Sequence, residues 1–198
     1  MKGVRLRLHY KGKYSGNPDE LPYLEHEPGA VQFREAKDAK QMGKITTTLS
    51  IALLLPAIIL CWIRAGDVFF GYGIILLYLL TIIPHELLHA MCFQGDVYLY
   101  HDLRHGMVFI VGPERMSKCR FIIKSLLPGF VLGVIPYISF LINPELRILG
   151  LLGALGIASS AGDYYNVYNA LRQMPKGARA YMHKYNTFWY IPDSKRFD

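Results

Sequence analysis

The sequence predicts a mainly α-helical membrane protein: four transmembrane helices with both termini cytoplasmic, a small β-containing cytosolic N-terminal segment and a membrane-proximal hairpin. Three observations predict it. Hydrophobic residues make up 52% of the 198, and they gather into four blocks of about the length a bilayer demands. The mean hydropathy of +0.20 is high for a water-soluble chain. Lys and Arg alternate between rich and poor connections, as they do when successive loops lie on opposite sides of a membrane.

Residues 1–44 are polar and contain no apolar stretch of the kind a signal peptide needs. The run HYKGKYSGNPDELPYLEHEPGAVQF reads as short strands with turns at Gly16-Asn17 and Pro28-Gly29, forming a cytosolic N-terminal segment. The first span, about 45–63, is uncharged and long enough to cross a bilayer as a helix. The second, about 68–93, is uncharged as far as HELLHAMCF, where Glu86 is its single acid. In the loop that follows, DVYLYHD and GMVFIVG read as two strands around DLRHG, a hairpin over 94–112. PERMSKCRFIIK then leads amphipathically into the third span, about 125–143, with kinks expected at Pro128 and Pro136. The fourth span, about 148–171, carries one charge, Asp163, and its GLLGALGIASSAG run lets helices approach closely. Residues 172–198 read as a cytosolic tail, with Trp189 and Tyr190 as aromatic anchors near the membrane surface. Tyr164, Tyr165 and Tyr168 invite the same reading.

Segment 1–44 carries nine Lys/Arg, loop 94–124 five and tail 172–198 six, while the turns at 64–67 and 143–147 carry one each. The positive-inside rule therefore puts the basic pieces in the cytoplasm. It also accounts for the net charge of +7 without nucleic acid as a partner. The expected partner is the lipid bilayer. The three cysteines read as reduced thiols. The topology points to a prokaryotic cell membrane.

His85-Glu86-Leu87-Leu88-His89 is HExxH. On a helix, positions i and i+4 share a face, so both imidazoles can bind one metal. Glu86 is then placed to take a proton from a metal-activated water. In a chain with seven His and seven Glu, chance supplies about 0.01 such matches. Polar groups at the end of a membrane-spanning block are costly, which raises the functional weight of the motif. The competing reading is a set of interfacial residues bonding to neighbouring helices.

A catalytic zinc site needs a third protein ligand. Asp163 is the candidate, because a lone carboxylate in an apolar block is expensive without a partner. His85 lies about 25 Å of helix rise from the start of its block and Asp163 about 22 Å from the start of its own, so the two match in depth. Alternatively Asp163 caps a helix break or pairs with a Tyr or Lys. Asn166 follows on the same face and would orient a substrate carbonyl, stabilise an oxyanion, or simply bond helix backbone. His101 and His105 share i, i+4 spacing in a polar turn and form a weaker alternative metal pair. His9, His26 and His183 carry no signal.

HELLHA in an apolar helix, followed by a later helix with an aspartate, resembles the site-2-protease class of intramembrane zinc metalloproteases. KGKYSGNPDELPYLEHEPGAVQF, HELLHAMCF, GPERMSKCRFI leading to LLPG, and SSAGDYYNVYNA resemble more closely the DUF3267 family of zincin peptidases, over nearly the whole chain. The resemblance implies a four-helix transmembrane zincin-like domain over 45–171. It implies Zn2+ as cofactor, His85 and His89 as ligands, Glu86 as catalytic base and Asp163 as third ligand. In the site-2-protease class the later aspartate precedes a glycine, whereas here Gly162 precedes Asp163.

The expected function is a membrane-embedded zinc metalloprotease that hydrolyses peptide bonds of membrane-associated substrates, a peptide or membrane-protein substrate, with a glutamate general base. The alternative is a non-catalytic zinc-binding or pseudoprotease membrane protein acting through partner binding. A transporter is disfavoured by the absence of visibly duplicated halves.

Overall fold

The computed structural model describes residues 7–66, 72–104, 106–184 and 186–192. The chain forms two compact units. One draws on Ala36–His85 and Ser125–Val167, and the other on Met1–Glu35, Glu86–Lys124 and Tyr168–Asp198.

The first unit is helical. Helix α1 runs over Ala39–Ala65, capped at its start by the Asp38 side chain accepting from the Gln41 N–H. It stops at Gly66, whose φ of 76° is a left-handed conformation that suits glycine. The next apolar block holds two helices, α2 (Tyr72–Leu80) and α3 (Ile82–Ala90). They meet at Thr81, whose hydroxyl donates to the Tyr78 carbonyl at 2.6 Å. Pro84 lies in the first turn of α3, where its missing N–H is tolerated. Helix α4 (Lys118–Pro128) continues through a π-helical stretch, Gly129–Val134, into α5 (Ile135–Ile142). The expected kinks at Pro128 and Pro136 thus take the form of a widened helical turn between them.

The fourth apolar block differs from the single helix expected over 148–171. It is α6 (Arg147–Ser159) and α7 (Ala161–Gln173), separated at Ser160. Ser and Gly residues at 159–162 favour the break, since their side chains supply little to hold a helix through it. Cys61, Tyr137, Phe140 and Ala154 form a core shared by α1, α5 and α6. Close approach needs glycine: a Cβ on Gly153 would lie 2.5 Å from the Tyr137 backbone nitrogen. Ser50 Oγ donates to the Ala158 carbonyl at 2.7 Å, and Tyr137 Oη to the Ala57 carbonyl at 2.8 Å.

Among the described residues, three helical stretches are long and apolar enough to cross a membrane: Lys40–Ala65, Gly73–Ala90 and Lys118–Ile142. Helix α6 is apolar but shorter. The protein is a membrane protein by these helices. The outward face of α1 fits this, with Ile51, Leu55, Ile59 and Ile63 all more than half exposed at four-residue spacing.

The second unit holds the seven strands found among the described residues. In one sheet, β1 (Arg7–Lys13) lies parallel to β3 (Asp96–Asp102), which pairs antiparallel with β4 (Met107–Val111) as a hairpin. The β1–β3 register slips between Tyr10 and Gly12, and Gly12 takes φ +86° there, as bulges often require. In the other sheet the order is β2 (Val31–Gln32), β7 (Asn186–Tyr190), β6 (Arg179–His183), β5 (Met116–Ser117), all antiparallel. The stretch expected as a tail therefore carries a hairpin. Tyr190 is buried, unlike a surface anchor, and the partly buried Trp189 packs on a core of Phe33, Phe93, Val97 and Phe121. Glu35 accepts the Thr187 N–H at 2.7 Å, and burial pushes its carboxyl above the usual range.

Candidate metal centre

The site starts from the physics of one short helix. In α3, the ligand atoms of His85, Glu86 and His89 all lie within 4.8 Å of one another. That follows from i, i+1, i+4 spacing on a single helical turn. His89 is buried, and His85 and Glu86 are half-buried.

Asp163 joins them through His85. Its Oδ2 stands 3.3 Å from His85 Nε2, both side chains being mostly shielded from solvent. The break at Ser160 places Asp163 in the first turn of α7, where the helix dipole favours a carboxylate. Two atoms each about 2.0–2.1 Å from a tetrahedral zinc are separated by roughly 3.3–3.4 Å. That spacing is common to a direct imidazole–carboxylate contact and to two ligands on one ion.

His89 is oriented from its other nitrogen. Nδ1 lies 2.8 Å from the Lys124 carbonyl oxygen. A carbonyl only accepts, so Nδ1 carries the proton and the ring's lone pair falls on Nε2. Metal-binding histidines are commonly held this way, with the second nitrogen tied to a carbonyl or carboxylate. Two imidazoles and a carboxylate on one helical turn are donor types that zinc accepts.

The C-terminal end of α3 is fixed by charge. Arg120 Nε donates to the Cys92 carbonyl at 3.0 Å, and its Nη2 pairs with Glu114. Glu114 in turn accepts the Gln94 N–H at 2.7 Å. Sequence reading missed Lys124, Arg120 and Glu114. Lys124 contributes a main-chain oxygen, which no side-chain motif can reveal, and Arg120 and Glu114 look like ordinary loop charges until the chain is folded.

The remaining candidates separate. Asn166 lies one turn after Asp163 on α7 and is half-buried. His101 sits on β3, with Nδ1 3.0 Å from the Tyr10 hydroxyl. His105 lies outside the described residues. His9 is 3.0 Å from Asp96, and the His26 and His183 rings stack at 4.1 Å.

No curated protein and no solved structure matches the chain. One family model does, DUF3267, described as "Putative zincin peptidase", over residues 78–179. Zincins are zinc peptidases built on HExxH. The matched stretch is just over half of the chain and contains His85, Glu86, His89 and Asp163. The chain belongs to the DUF3267 family.

Proposed function

We propose that the protein is a membrane-embedded zinc metalloprotease, similar in layout to the site-2-protease class, acting on membrane-associated peptides near the cytosolic face. The observation that carries this reading is the 3.3 Å approach of Asp163 to His85 on the helix that bears Glu86 and His89. His85, His89 and Asp163 would hold the metal. Zinc bound there supplies Lewis acidity and makes a water acidic enough to lose a proton near neutral pH.

The chain's own residues do the rest. Glu86 accepts the proton of the attacking water and passes it to the departing amine nitrogen. Asn166, one turn after Asp163 on α7, would donate to the carbonyl oxygen as it gains charge. The half-burial of His85, Glu86 and Asp163 limits bulk water and strengthens these interactions. A substrate helix would have to unwind, since its carbonyls are otherwise engaged. Strand β4 is an edge of its sheet and offers main-chain groups to an extended peptide.

In this reading α6 and α7 together make the fourth crossing, which places both termini and the 94–112 hairpin in the cytoplasm. The test is metal content of the detergent-purified full chain by mass spectrometry. One zinc per chain is expected, lost in His85→Ala and in Asp163→Ala. Wild-type protein without metal would sink the proposal. Retention in Asp163→Ala alone would move the third ligand elsewhere.

A further inference from the structure

We propose that Pro128 is a positioning residue for the metal ligand His89, acting through the Lys124 carbonyl. The inference rests on the zinc-site reading above and adds to it.

In a regular α-helix the N–H of residue 128 donates to the carbonyl of residue 124. Pro128 has no N–H, and its ring crowds that same carbonyl, tilting it off the helix axis. Yet Pro128 lies within α4, with helical φ −64° and ψ −47°. The helix therefore continues while the Lys124 carbonyl is relieved of its regular ladder donor. That oxygen accepts from His89 Nδ1–H at 2.8 Å. The π-helical stretch beginning at Gly129 widens the ladder immediately beyond, which lets the helix absorb the proline without ending.

Lys124 is held in place from its side chain as well. Its ammonium lies 4.9 Å from the centre of the Phe121 ring and 5.7 Å from that of Phe93. One turn earlier on the same helix, Arg120 grips the Cys92 carbonyl just past the end of α3. One face of α4 thus fixes the end of α3 at two levels, and the upper one depends on a proline. The consequence is chemical: with Nδ1 committed to a carbonyl, His89 offers Nε2 in one tautomer and one ring orientation. A free imidazole would first have to settle into both.

A second proline supplies the control. Pro56 lies inside α1 and withholds the same ladder bond there, from a helix that carries no metal ligand. Pro128→Ala restores a donor that competes with His89 for the Lys124 carbonyl. Zinc affinity of the full chain in detergent, measured by competition with a chromophoric chelator, is expected to fall about 10–100-fold, the range for lost outer partners of metal ligands. Thermal stability without metal should change little, because alanine's better helix propensity offsets the small void left by the buried proline ring. The visible spectrum of the Co2+-loaded protein should change with it. Pro56→Ala should leave affinity and spectrum as in wild type.

A fall in affinity together with a fall in apo stability would indicate a merely structural proline and overturn the proposal. So would wild-type affinity in Pro128→Ala, or an equal loss in Pro56→Ala. If wild type binds zinc and Pro128→Ala binds it equally, only this inference fails. If wild type binds none, the metal centre fails with it.

Discussion

Helices α1 and α3 are both apolar, and each contains a proline. Helix α1 keeps its charges at its ends, at Lys40, Lys44 and Arg64, and shows solvent an unbroken row of large aliphatic side chains between them. Helix α3 carries two imidazoles and a carboxylate, with Asp163 beside His85 and the Lys124 carbonyl beside His89. Hydropathy alone describes both as membrane segments. The difference lies in the polar exceptions: each is costly in an apolar helix, and both imidazoles have a polar partner.

The comparison can be broken first at Glu86. Glu86→Gln removes the base but keeps the shape, so peptide hydrolysis is expected to fall about 10²–10⁴-fold with zinc content unchanged. Ile59→Leu on the exposed row of α1 should leave activity alone. Equal turnover in Glu86→Gln and wild type would erase the chemical distinction between the helices.

A charge on the lipid-facing row is the next largest test. Ile59→Lys is expected to cost roughly 2.5–3.5 kcal/mol of membrane insertion, read as the inserted fraction in a translation system with microsomes. An unaltered fraction would mean that α1 does not meet lipid there.

The inner side of α1 sharpens the contrast between lipid contact and packing. Gly153→Ala drives a methyl against the Tyr137 backbone, and Tyr137 is the residue that bonds the Ala57 carbonyl of α1. A loss of about 1–3 kcal/mol is expected, measured as the melting temperature in detergent. A neutral result would mean the approach of α5 and α6 has slack.

The smallest effect lies outside both helices. The Glu35 carboxyl is raised by burial, so its folded form holds a proton more tightly than the unfolded chain does. Its contribution is fully present below the ordinary value of 4.5 and is lost as pH rises through the elevated range. Melting temperature should therefore decline with pH above that value, and Glu35→Gln should flatten the decline. A slope identical in the variant would assign the titration elsewhere.

Much of this was legible before folding. HELLH announced its own geometry because a helix fixes i, i+4 by itself. Asp163 stood out because a charge in an apolar block demands an explanation, and its neighbour is His85. The β3–β4 hairpin was legible because apolar alternation and its turn are local. What escaped depends on distant pairing. Nothing local tells Arg7–Lys13 to lie beside Asp96–Asp102, or Val31–Gln32 beside Asn186–Tyr190. Trp189 and Tyr190 look alike whether they meet lipid or a core. The Ser160 break had local signals in Ser159, Ser160 and Gly162, but the span length of the apolar block outweighed them.

The pairing of β2 with β7 has a consequence for biosynthesis. Val31 leaves the ribosome roughly 150 residues before its partner Trp189 exists. At about 5–20 residues per second, that is a wait on the order of 8–30 s. Throughout it, the apolar helical blocks are emerging and are available for insertion. Strand β2 must therefore remain unmated while later segments enter the bilayer, and the second sheet can close only once β7 has been made. A nascent chain halted before Asn186 would hold Val31–Gln32 open to chaperones and proteases.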